Sequence, residues 1–426
     1  MKHVLLTAAL VAACASASAQ SLHTLSTSVD PTMMALGISA NGKYVTGSTY
    51  DGYMFVADWE AGKIQFAENK DELGAQGRAV SDEGVAYGFN VNAFSLNIEG
   101  DTATIWGQNS MADGVTRDGA VVVGNLDTDG DYETNACYWK DGQFYRLPEP
   151  TESWVGFEIS GTAAKYVSDD ASTIVGYYID NFSTYPAIAW HRNAGDSTYS
   201  VVPFCKRWYD GSYDLNTGHP YQMFTPSGVS SDGKWVAMTV QTIDSWFPVM
   251  ARYNVEEDSL EVISAPSDDY DEQTIYATGI ANDGTLIGFV ENDNYDRVAL
   301  YCKAGETTFQ KLSEAFPTVE GLQTYDNNGW CVPTGITPNG KYIVGYSSVQ
   351  IDGASDDDGG FGYETFILDT DSDNGLDGIN NVNGDEAKAK TVATYSTDGR
   401  RVNANQYHGL VITKTANGKA SKSVKR

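Results

Sequence analysis

The chain repeats one pattern of apolar and polar positions seven times. In each copy an apolar residue leads into Gly-Ile or Val, then Ser, Ala or Thr, a short turn of Asp or Asn with Gly, and a β-branched run that usually ends in Gly. The spacing of about 35 to about 62 residues is typical of proteins in which each repeat is one supersecondary unit. The copies begin at Gly37, Ala79, Gly114, Tyr166, Gly228, Gly279 and Gly335.

Each repeat predicts four short strands and no helix. In the sixth copy, residues 285–290, 298–302 and 309–312 are β-branched and aromatic runs that follow the motif and are separated by Asp-, Asn- and Gly-rich turns. Two-residue hairpin turns need positive φ, which Asn, Asp and Gly adopt at low cost. No helical period lasts longer than a turn in the repeats, so the pattern predicts an all-β chain.

The ends of the repeat region complement each other. A fourth strand can be read in six repeats, whereas the seventh, at 343–368, runs directly into an acidic, Gly-rich stretch. A spare strand, residues 22–26, precedes the first repeat. This arrangement predicts a seven-bladed β-propeller of four-stranded antiparallel blades, closed by the N-terminal strand, because closure removes exposed sheet edges. An open solenoid is the alternative.

The first 19 residues have the features of a secretory signal peptide. Lys2 precedes an apolar stretch at 4–13 and the small-residue site Ala17-Ser18-Ala19. A competing interpretation takes 11–14 as a lipoprotein cleavage box, with Cys14 as a lipid-anchored residue. No later segment has the 18 or more apolar residues of a membrane span. We therefore expect a secreted or cell-surface protein, with residues 20–368 forming the propeller.

The C-terminal part differs from the rest in charge. The net charge is −30, but from Lys388 onward there are nine Lys and Arg against the single acid Asp398. The strongly acidic remainder argues against a nucleic-acid partner, whose phosphates it would repel. Residues 369–390 are polar, acidic and Gly-rich, as in a linker. Residues 391–426 predict a small C-terminal β tail.

This tail resembles the C-terminal sorting domains of type IX secretion cargo. The resemblance rests on Tyr395 with Gly399-Arg400-Arg401-Val402, on 409–414 and on Lys422-Ser423-Val424-Lys425. Leu410 departs from it, standing where many members have an aromatic residue. The resemblance implies passage across an outer membrane by the type IX export machinery. The alternative is a β-hairpin that packs on the propeller.

The repeats resemble two families of secreted or periplasmic bacterial propellers over residues 22–368. Gly114 to Gly124, followed by Tyr138-Trp139, is similar to the repeat of HAF-type extracellular proteins. Residues 337–341, Thr-Pro-Asn-Gly-Lys, are similar to the Ser-Pro-Asp-Gly-Lys repeat of TolB-like propellers. Members of both families act mostly as binding or assembly scaffolds, which the resemblance implies for this chain.

The sequence shows no catalytic constellation. The histidines that follow the signal peptide are scattered, and no Gly-x-Ser-x-Gly turn or phosphate-binding Gly loop stands between a strand and a helix. We therefore expect a protein that is not an enzyme. A polysaccharide lyase or glycosidase is the alternative, because any of the 57 acidic residues could supply a carboxylate pair.

The connections predict where a partner binds. Loops between second and third strands and between blades are long, and in a four-stranded blade both sets emerge on one face, the long-loop face. Its aromatic residues could stack on a glycan or anchor a protein partner. Local packing is the alternative for these residues, and an envelope scaffold without a small ligand is a further possibility for the protein. The candidate ligand-binding residues are Trp154, Trp208, Tyr209, Tyr213, Tyr221, Trp246, Tyr295, Tyr325 and Trp330.

One loop carries acids at alternate positions. Asp127, Asp129 and Asp131 match the first half of a calcium-binding loop. The Gly at position 6 and the bidentate Glu at position 12 of such loops are replaced by Tyr132 and Tyr138. These three residues are thus a candidate Ca²⁺ site with an incomplete ligand set, and a solvated acidic loop is the alternative. No other cofactor is indicated.

Overall fold

The computed structural model divides into two compact units, Met1–Leu376 and Asp377–Arg426. The structure describes residues 20–25, 32–67, 74–127, 134–150, 159–180, 187–193, 198–203, 221–242, 247–350, 361–370, 391–396, 409–415 and 420–425.

The first unit is a ring of seven four-stranded antiparallel blades, which confirms the predicted propeller. The first strand, β1 (Ser21–Leu25), belongs to the last blade. Blade 1 is β2 (Met33–Ile38), β3 (Tyr44–Thr49), β4 (Met54–Asp58) and β5 (Lys63–Phe66), and blade 2 is β6 (Gln76–Val80), β7 (Val85–Phe89), β8 (Asn92–Asn97) and β9 (Thr102–Gln108). Blade 3 is β10 (Ser110–Val115), β11 (Val121–Leu126), β12 (Asn135–Lys140) and β13 (Gln143–Arg146).

The remaining blades follow the same order along the chain. Blade 4 is β14 (Ile159–Val167), β15 (Thr173–Asp180), β16 (Ala187–Arg192) and β17 (Tyr199–Pro203), and blade 5 is β18 (Tyr221–Val229), β19 (Trp235–Thr242), β20 (Val249–Asn254) and β21 (Ser259–Val262). Blade 6 is β22 (Thr274–Ile280), β23 (Leu286–Glu291), β24 (Arg297–Cys302) and β25 (Gln310–Lys311), and blade 7 is β26 (Cys331–Ile336), β27 (Tyr342–Gln350), β28 (Phe361–Asp369) and β1.

The N-terminal strand closes the ring, as predicted from the missing fourth strand of the last repeat. β1 pairs antiparallel with β28, with Leu22 opposite Leu368 and Thr24 opposite Phe366. The strand begins at Ser21 and ends at Leu25, one residue earlier at each end than the sequence suggested. Blade 7 is thereby built from both ends of the propeller, and no open edge remains between the first and last repeats.

Removal of the Leu25 side chain tests this closure. Leu25 is 7% exposed and packs in the cluster that joins blades 7 and 1, with Met33, Val344 and Ile367. We expect Leu25→Ala to lower the free energy of unfolding by about 2 kcal/mol, because the large-to-small change leaves a cavity. Chemical denaturation measures the loss. Thr24→Ala, an exposed position on the same strand, should cost less than about 1 kcal/mol; equal costs for the two variants would contradict the packing role.

The repeated motif folds as a turn held by its own side chains. In blade 1 the hydroxyl of Ser39 donates to Asn41 Oδ1 at 2.7 Å, and Asn41 Oδ1 accepts the Lys43 N–H at 2.9 Å. The Tyr44 N–H donates to Ser39 Oγ at 2.9 Å, and Gly42 takes a φ of 77°. The third and fifth motif positions therefore select hydroxyl and Asp or Asn side chains for hydrogen bonding. The same hydroxyl-to-acceptor bond joins Thr116 to Asp118, Ser168 to Asp170, Ser230 to Asp232 and Thr337 to Asn339.

Every innermost strand carries a β-bulge immediately before the motif, where one extra residue has no partner on the second strand. The bulge residues, one for each blade, are Leu36, Arg78, Asp113, Lys165, Ser227, Thr278 and Thr334. The residue after the bulge is often Gly because neighbouring innermost strands lie close together. A Cβ on Gly37, for example, would lie 2.7 Å from the carbonyl oxygen of Arg78 in the next blade.

Glycine also ends the β-branched run on the second strand of six blades. At each of these six positions a Cβ would overlap the backbone carbonyl oxygen of the innermost-strand residue that lies two positions before the bulge. Blade 5 has Met238 at this position, opposite Pro226. The recurrent glycine of the sequence pattern is therefore a steric requirement of the bulged pair. The six glycines are Gly47, Gly88, Gly124, Gly176, Gly288 and Gly345.

Two short helices follow β25, where the sequence predicted the end of a strand and then a long loop between blades. The expected strand at 309–312 is reduced to Gln310–Lys311, and Leu312 begins α1 (Leu312–Ala315), which is followed by α2 (Leu322–Asn327). Leu312 and Leu322 are fully buried in the cluster between blades 6 and 7. The burial of helical side chains thus ends the strand early. Within the described ranges, no helix is long and apolar enough to cross a membrane.

The second unit contains one antiparallel sheet, in agreement with the predicted β tail. Its strands are β29 (Thr391–Ser396), β30 (Gly409–Thr415) and β31 (Ala420–Lys425), in that order across the sheet. Leu410 pairs with Val424 in the register of β30 and β31. The sorting role that the sequence resemblance implies for this unit stays a prediction.

Candidate functional site

The connectivity of the blades gives the propeller two different faces. The turns that contain the repeated motif lie on one, here called the short-turn face. The loops between second and third strands, together with the connections between blades, lie on the long-loop face. The innermost strands run from the long-loop face to the short-turn face and line a central channel. Function can therefore be sought at the long-loop face and in the channel.

Exposed apolar side chains concentrate on the long-loop face. Among the described residues, five large hydrophobic side chains are strongly exposed. Tyr50 (69%), Val91 (37%) and Tyr295 (71%) lie in loops between second and third strands, and Met111 (37%) lies near the start of innermost strand β10. Only the fifth, Tyr145, lies elsewhere, on the outermost strand β13. Four of the five therefore belong to one face.

The loop that carries Tyr295 is held rigidly. Asn292 Oδ1 accepts the N–H groups of Asn294 at 2.9 Å and Asp296 at 3.0 Å, and the Tyr295 N–H donates to the Asn292 carbonyl at 2.9 Å. Tyr295 itself takes a φ of 64°, which is uncommon for a residue with a side chain. The loop thus fixes a strained conformation that leaves the tyrosine exposed, and little backbone entropy remains to be lost on binding.

An arginine and several aromatic rings join blades 6 and 7 beside this loop. The Arg297 guanidinium lies 4.2 Å from the centre of the Trp330 ring and donates from Nε to Glu291 Oε2 at 2.6 Å. The Trp330 ring meets Tyr363 edge-on at 6.0 Å. Trp330 and Arg297 are half-buried, so this cluster packs directly beneath the long-loop face next to Tyr295.

An acidic groove lies on the other side of the Tyr295 loop. It has a volume of about 480 Å³ and includes loop residues Asn292, Asp293 and Asn294. The connection between blades 5 and 6 supplies the other wall, and it is strongly acidic. The negative charge of the groove favours partners with basic groups and disfavours anions. The acidic residues of that wall are Asp268, Asp269, Asp271 and Glu272.

The residues predicted to bind a ligand fall into three groups. Tyr295 is exposed on the long-loop face, and Trp330 is half-buried there. Tyr325 is only 6% exposed, because its hydroxyl donates to Glu364 at 2.9 Å and its ring packs on Phe366. Burial raises the pKa of Tyr325, and the Glu364 carboxylate raises it further. Tyr325 is therefore a packing residue, in line with the alternative of local packing.

The side chains of the other predicted ligand-binding residues lie outside the described part of the structure. Tyr221 begins β18, and its side chain lies outside the described part of the structure. The following lie outside the described residues altogether: Trp154, Trp208, Tyr209, Tyr213 and Trp246.

Sequence reasoning missed Tyr50, Val91 and Met111. It searched the long loops, whereas Tyr50 and Val91 lie in short loops between paired strands, and Met111 lies in a strand. A signal was present, because an apolar residue at the tip of a two- to four-residue hairpin loop has no core to face. The tyrosine of Tyr50-Asp51-Gly52 could have been recognised on this ground.

The candidate calcium site is only partly described. Asp127 follows β11, while Asp129 and Asp131 lie outside the described residues. Within the described ranges, no group of three or more His, Cys, Asp or Glu side chains could hold a metal ion. The calcium site therefore stays a prediction from the sequence.

A charged cluster spans the channel at the short-turn face. Arg117 Nε lies 3.4 Å from Asp82 Oδ2 and 3.1 Å from Asp169 Oδ2, and the hydroxyl of Ser231 also donates to Asp169. These residues occupy the fourth motif position of blades 2 to 5. Burial raises the pKa of the Asp82 and Asp169 carboxyls, whereas Arg117 lowers both. The cluster ties four consecutive blades together.

Comparison with known proteins supports the fold but does not assign the chain to a family. No protein-family model and no curated protein matches the chain. TolB from Acinetobacter baumannii is similar at 13% identity and a TM-score of 0.36, over 65% of this chain and 65% of that protein. This chain thus spans about two thirds of the length of that TolB. An oligogalacturonate lyase from Vibrio parahaemolyticus is similar at 14% identity, over 82% of this chain and 97% of that one, with a TM-score of 0.48.

A third similar structure is Kuenenia stuttgartiensis hydrazine synthase, at 13% identity over 75% of this chain and 94% of that one, with a TM-score of 0.44. At such identities a likeness concerns the fold alone. TolB proteins do occur among the similar structures, as the resemblance of the repeats implied.

The prediction that the protein is not an enzyme is wrong, because the sequence features on which it was based do not exclude catalysis. One of the similar solved structures is an oligogalacturonate lyase, so chains with this architecture include an enzyme. Scattered histidines and abundant acids therefore do not exclude catalysis. A TM-score of 0.48 assigns no reaction to this chain either, and the alternative of a lyase or glycosidase stays a prediction.

Proposed function

We propose that this protein is an exported β-propeller that binds a protein partner through its long-loop face. The observation that carries the proposal is that four of the five strongly exposed large hydrophobic residues in the described part of the chain lie on that face, in blades 1, 2, 3 and 6. They are Tyr50, Val91, Met111 and Tyr295. Exposed apolar side chains that gather on one face of a soluble domain mark interaction sites more often than scattered ones do. The hydrogen-bonded Tyr295 loop adds preorganisation, because its tyrosine is presented before a partner arrives.

The composition of this face favours a protein over a glycan. Sugar rings stack on aromatic faces, which Tyr50 and Tyr295 offer, but Val91 and Met111 have none. Aromatic residues and Met are together enriched at protein interfaces. The acidic groove beside Tyr295 complements Lys or Arg side chains of a partner. A glycan partner is therefore the alternative that the experiment must separate.

Export is supported by the two ends of the chain. Residues 1–19 read as a signal peptide, and residues 391–426 resemble a type IX sorting domain. Under this proposal the partner is found at the cell surface or in the medium. Fractionation of cells that produce the full chain and a chain ending at Leu376 tests the tail. Equal amounts of both at the surface would contradict a sorting role.

A double variant tests the binding face. We expect Tyr50→Ala with Tyr295→Ala to weaken binding to the captured partner by about tenfold or more, because exposed tyrosines are frequent energetic anchors of interfaces. The full chain without its signal peptide is immobilised and exposed to surface proteins, and each captured protein is then titrated against wild type and variant. Tyr145→Ala, which removes an exposed tyrosine from the outermost strand of blade 3, is the matched control.

The outcomes separate the alternatives. Selective loss with the double variant, retained binding with the control and unchanged thermal unfolding of the double variant support the proposal. Captured proteins that bind the double variant as well as wild type would rule the face out. Saturable signals on a glycan array that disappear in the double variant, with no protein captured, would assign the face to a glycan.

A further inference from the structure

The charged cluster of Asp82, Arg117 and Asp169 is anchored by the backbone at the short-turn end of the channel. The Asp82 N–H donates to the Arg117 carbonyl at 2.8 Å, and the Asp169 N–H donates to the Ser231 carbonyl at 2.9 Å. These bonds join blade 2 to blade 3 and blade 4 to blade 5. The Asn41 N–H of blade 1 donates to Asp82 Oδ1 at 2.7 Å. The backbone segments that carry the three charges are therefore held in fixed positions.

The cluster has one negative charge more than it has positive charges. Arg117 Nε lies 3.4 Å from Asp82 Oδ2 and 3.1 Å from Asp169 Oδ2, so one guanidinium faces two carboxylates. The three side chains are between 21% and 27% exposed, and solvent screens their charges only in part. Two carboxylates that share one cation repel each other, and a proton bound to either of them relieves this repulsion.

The groups around the two carboxyls leave the extra negative charge in place. Blade 1 offers the neutral Asn41, and blade 5 offers the neutral hydroxyl of Ser231, which donates to Asp169. Within the described part of the chain, Arg117 is the cation that acts on both carboxyls. The motif turns of blades 2, 3 and 4 also carry the acids Glu83, Asp118 and Asp170.

The surroundings of the two carboxyls set the direction in which pH acts. Burial raises the pKa of Asp82 and Asp169 above the ordinary value of 3.8, and the Asp82 charge raises the pKa of Asp169 further. Hydrogen bonds and Arg117 oppose this rise in both. A group whose pKa is raised on folding stabilises the folded state below the pKa of the unfolded chain. This stabilisation is lost as the pH rises through the folded-state pKa. Proton uptake at the cluster therefore favours the folded ring in acid.

We propose that the charged cluster is a proton-dependent clamp. As the pH falls, the Asp82–Asp169 pair binds one proton from solvent, the cluster becomes neutral, and blades 2, 3 and 4 are held together more firmly. The carboxylate that stays ionised keeps its ion pair with Arg117. The proton can enter from the channel, since Arg117 and Asp169 line its cavity of about 210 Å³. The clamp involves no partner, so it is independent of binding at the long-loop face.

The pH dependence of thermal unfolding tests the clamp in the full chain without its signal peptide. Asp169→Asn cannot bind the proton at this position. We expect the unfolding temperature of wild type, relative to that of Asp169→Asn, to rise by about 2 °C or more as the pH falls from about 8 to about 5. Many other acids titrate in both proteins, so the difference between the two is the quantity to measure.

Asp141→Asn is the matched control. Asp141 is exposed in the turn between β12 and β13 and has a φ of 51°, which Asn also tolerates. An exposed side chain has similar surroundings in the folded and unfolded chain, so the difference from wild type should stay constant with pH.

Arg117→Met gives an independent readout with the opposite trend. It leaves the two carboxylates without their shared cation, so this variant should unfold at a lower temperature than wild type at about pH 8 and should recover as protons bind. An arginine that only packs would produce the same loss at every pH.

Two results would overturn the proposal. The first is a difference between wild type and Asp169→Asn that stays constant or shrinks in acid. The second is a loss of stability in Arg117→Met that does not depend on pH. If Arg117→Met does not fold, Asp169→Asn decides alone.

Discussion

We expect Gly124→Ala to lower the free energy of unfolding by about 3 kcal/mol or more. A Cβ at this position would overlap the backbone carbonyl oxygen of Met111 on the innermost strand of the same blade. Backbone atoms of a four-stranded sheet cannot move away as the end of a flexible side chain can, and overpacking of this kind is costly. Chemical denaturation, followed by circular dichroism, measures the change.

The control for Gly124 is a glycine at which an added Cβ would contact no other atom. Gly305 has a φ of 77° and nothing within 4 Å of an added Cβ, so Gly305→Ala carries only the conformational cost of about 1 kcal/mol. If the two variants were equally destabilised, the effect at Gly124 would be conformational and the steric explanation of the repeated glycine would be wrong.

The second large effect is expected at Arg252. This side chain is 2% exposed and donates to the carbonyl oxygens of Gly284 at 2.9 Å and Glu306 at 2.7 Å, and to Glu261 Oε2 at 2.6 Å. It therefore joins blade 5 to blade 6 through the backbone of the neighbouring blade. We expect Arg252→Met to cost about 3 kcal/mol, because the carbonyl oxygens of Gly284 and Glu306 lose their guanidinium donor in a part of the structure where Arg252 itself is buried.

A surface ion pair supplies the comparison for Arg252. Lys63 Nζ and Glu99 Oε1 lie 2.7 Å apart, with side chains that are 39% and 71% exposed. Lys63→Met should change the free energy of unfolding by less than about 1 kcal/mol, since exposed pairs contribute little. Equal stability losses in the two variants, measured by urea denaturation, would show that burial of Arg252 adds nothing.

Much of the architecture could be predicted because the repeat is a local signal. The turn requires a hydroxyl, an Asp or Asn and a residue that tolerates positive φ within six positions, and the sequence displays all three. The strand count then predicted that the last repeat lacks a fourth strand and that residues 22–26 replace it, and the structure has this strand at 21–25. Ring closure followed from that count, and needed no knowledge of side-chain packing.

Features that depend on contacts between distant residues were not predictable in this way. The need for Gly after the bulge arises because neighbouring innermost strands approach one another, as Gly37 and Arg78 show. Leu312 reads as a strand residue, but it begins a helix because its side chain is buried between blades 6 and 7. The role of the fourth motif position, seen in Arg117, was hidden because its chemistry differs from blade to blade.

The position of the long-loop face was predicted more accurately than the exposure of its residues. The strand order of the blade fixes which loops share a face, so the face itself follows from the connectivity. Exposure of a particular aromatic ring depends on what packs around it. Tyr295 lies in a hairpin loop and is 71% exposed, whereas Tyr325 lies in α2 and is 6% exposed. A criterion based on loop length alone also failed to select Tyr50, because Tyr50 lies in a connection of four residues.

Closure by the N-terminal strand has a consequence for the order of folding. Gln20 and Thr370, which meet where the two ends join, are 350 positions apart in the chain. Contacts of such separation form late, since the intervening segment must lose its entropy first. The N-terminal strand can therefore pair with the last blade only after nearly the whole polypeptide has been synthesised. Until then the seventh sheet lacks its outermost strand, and the ring stays open between the first and last repeats.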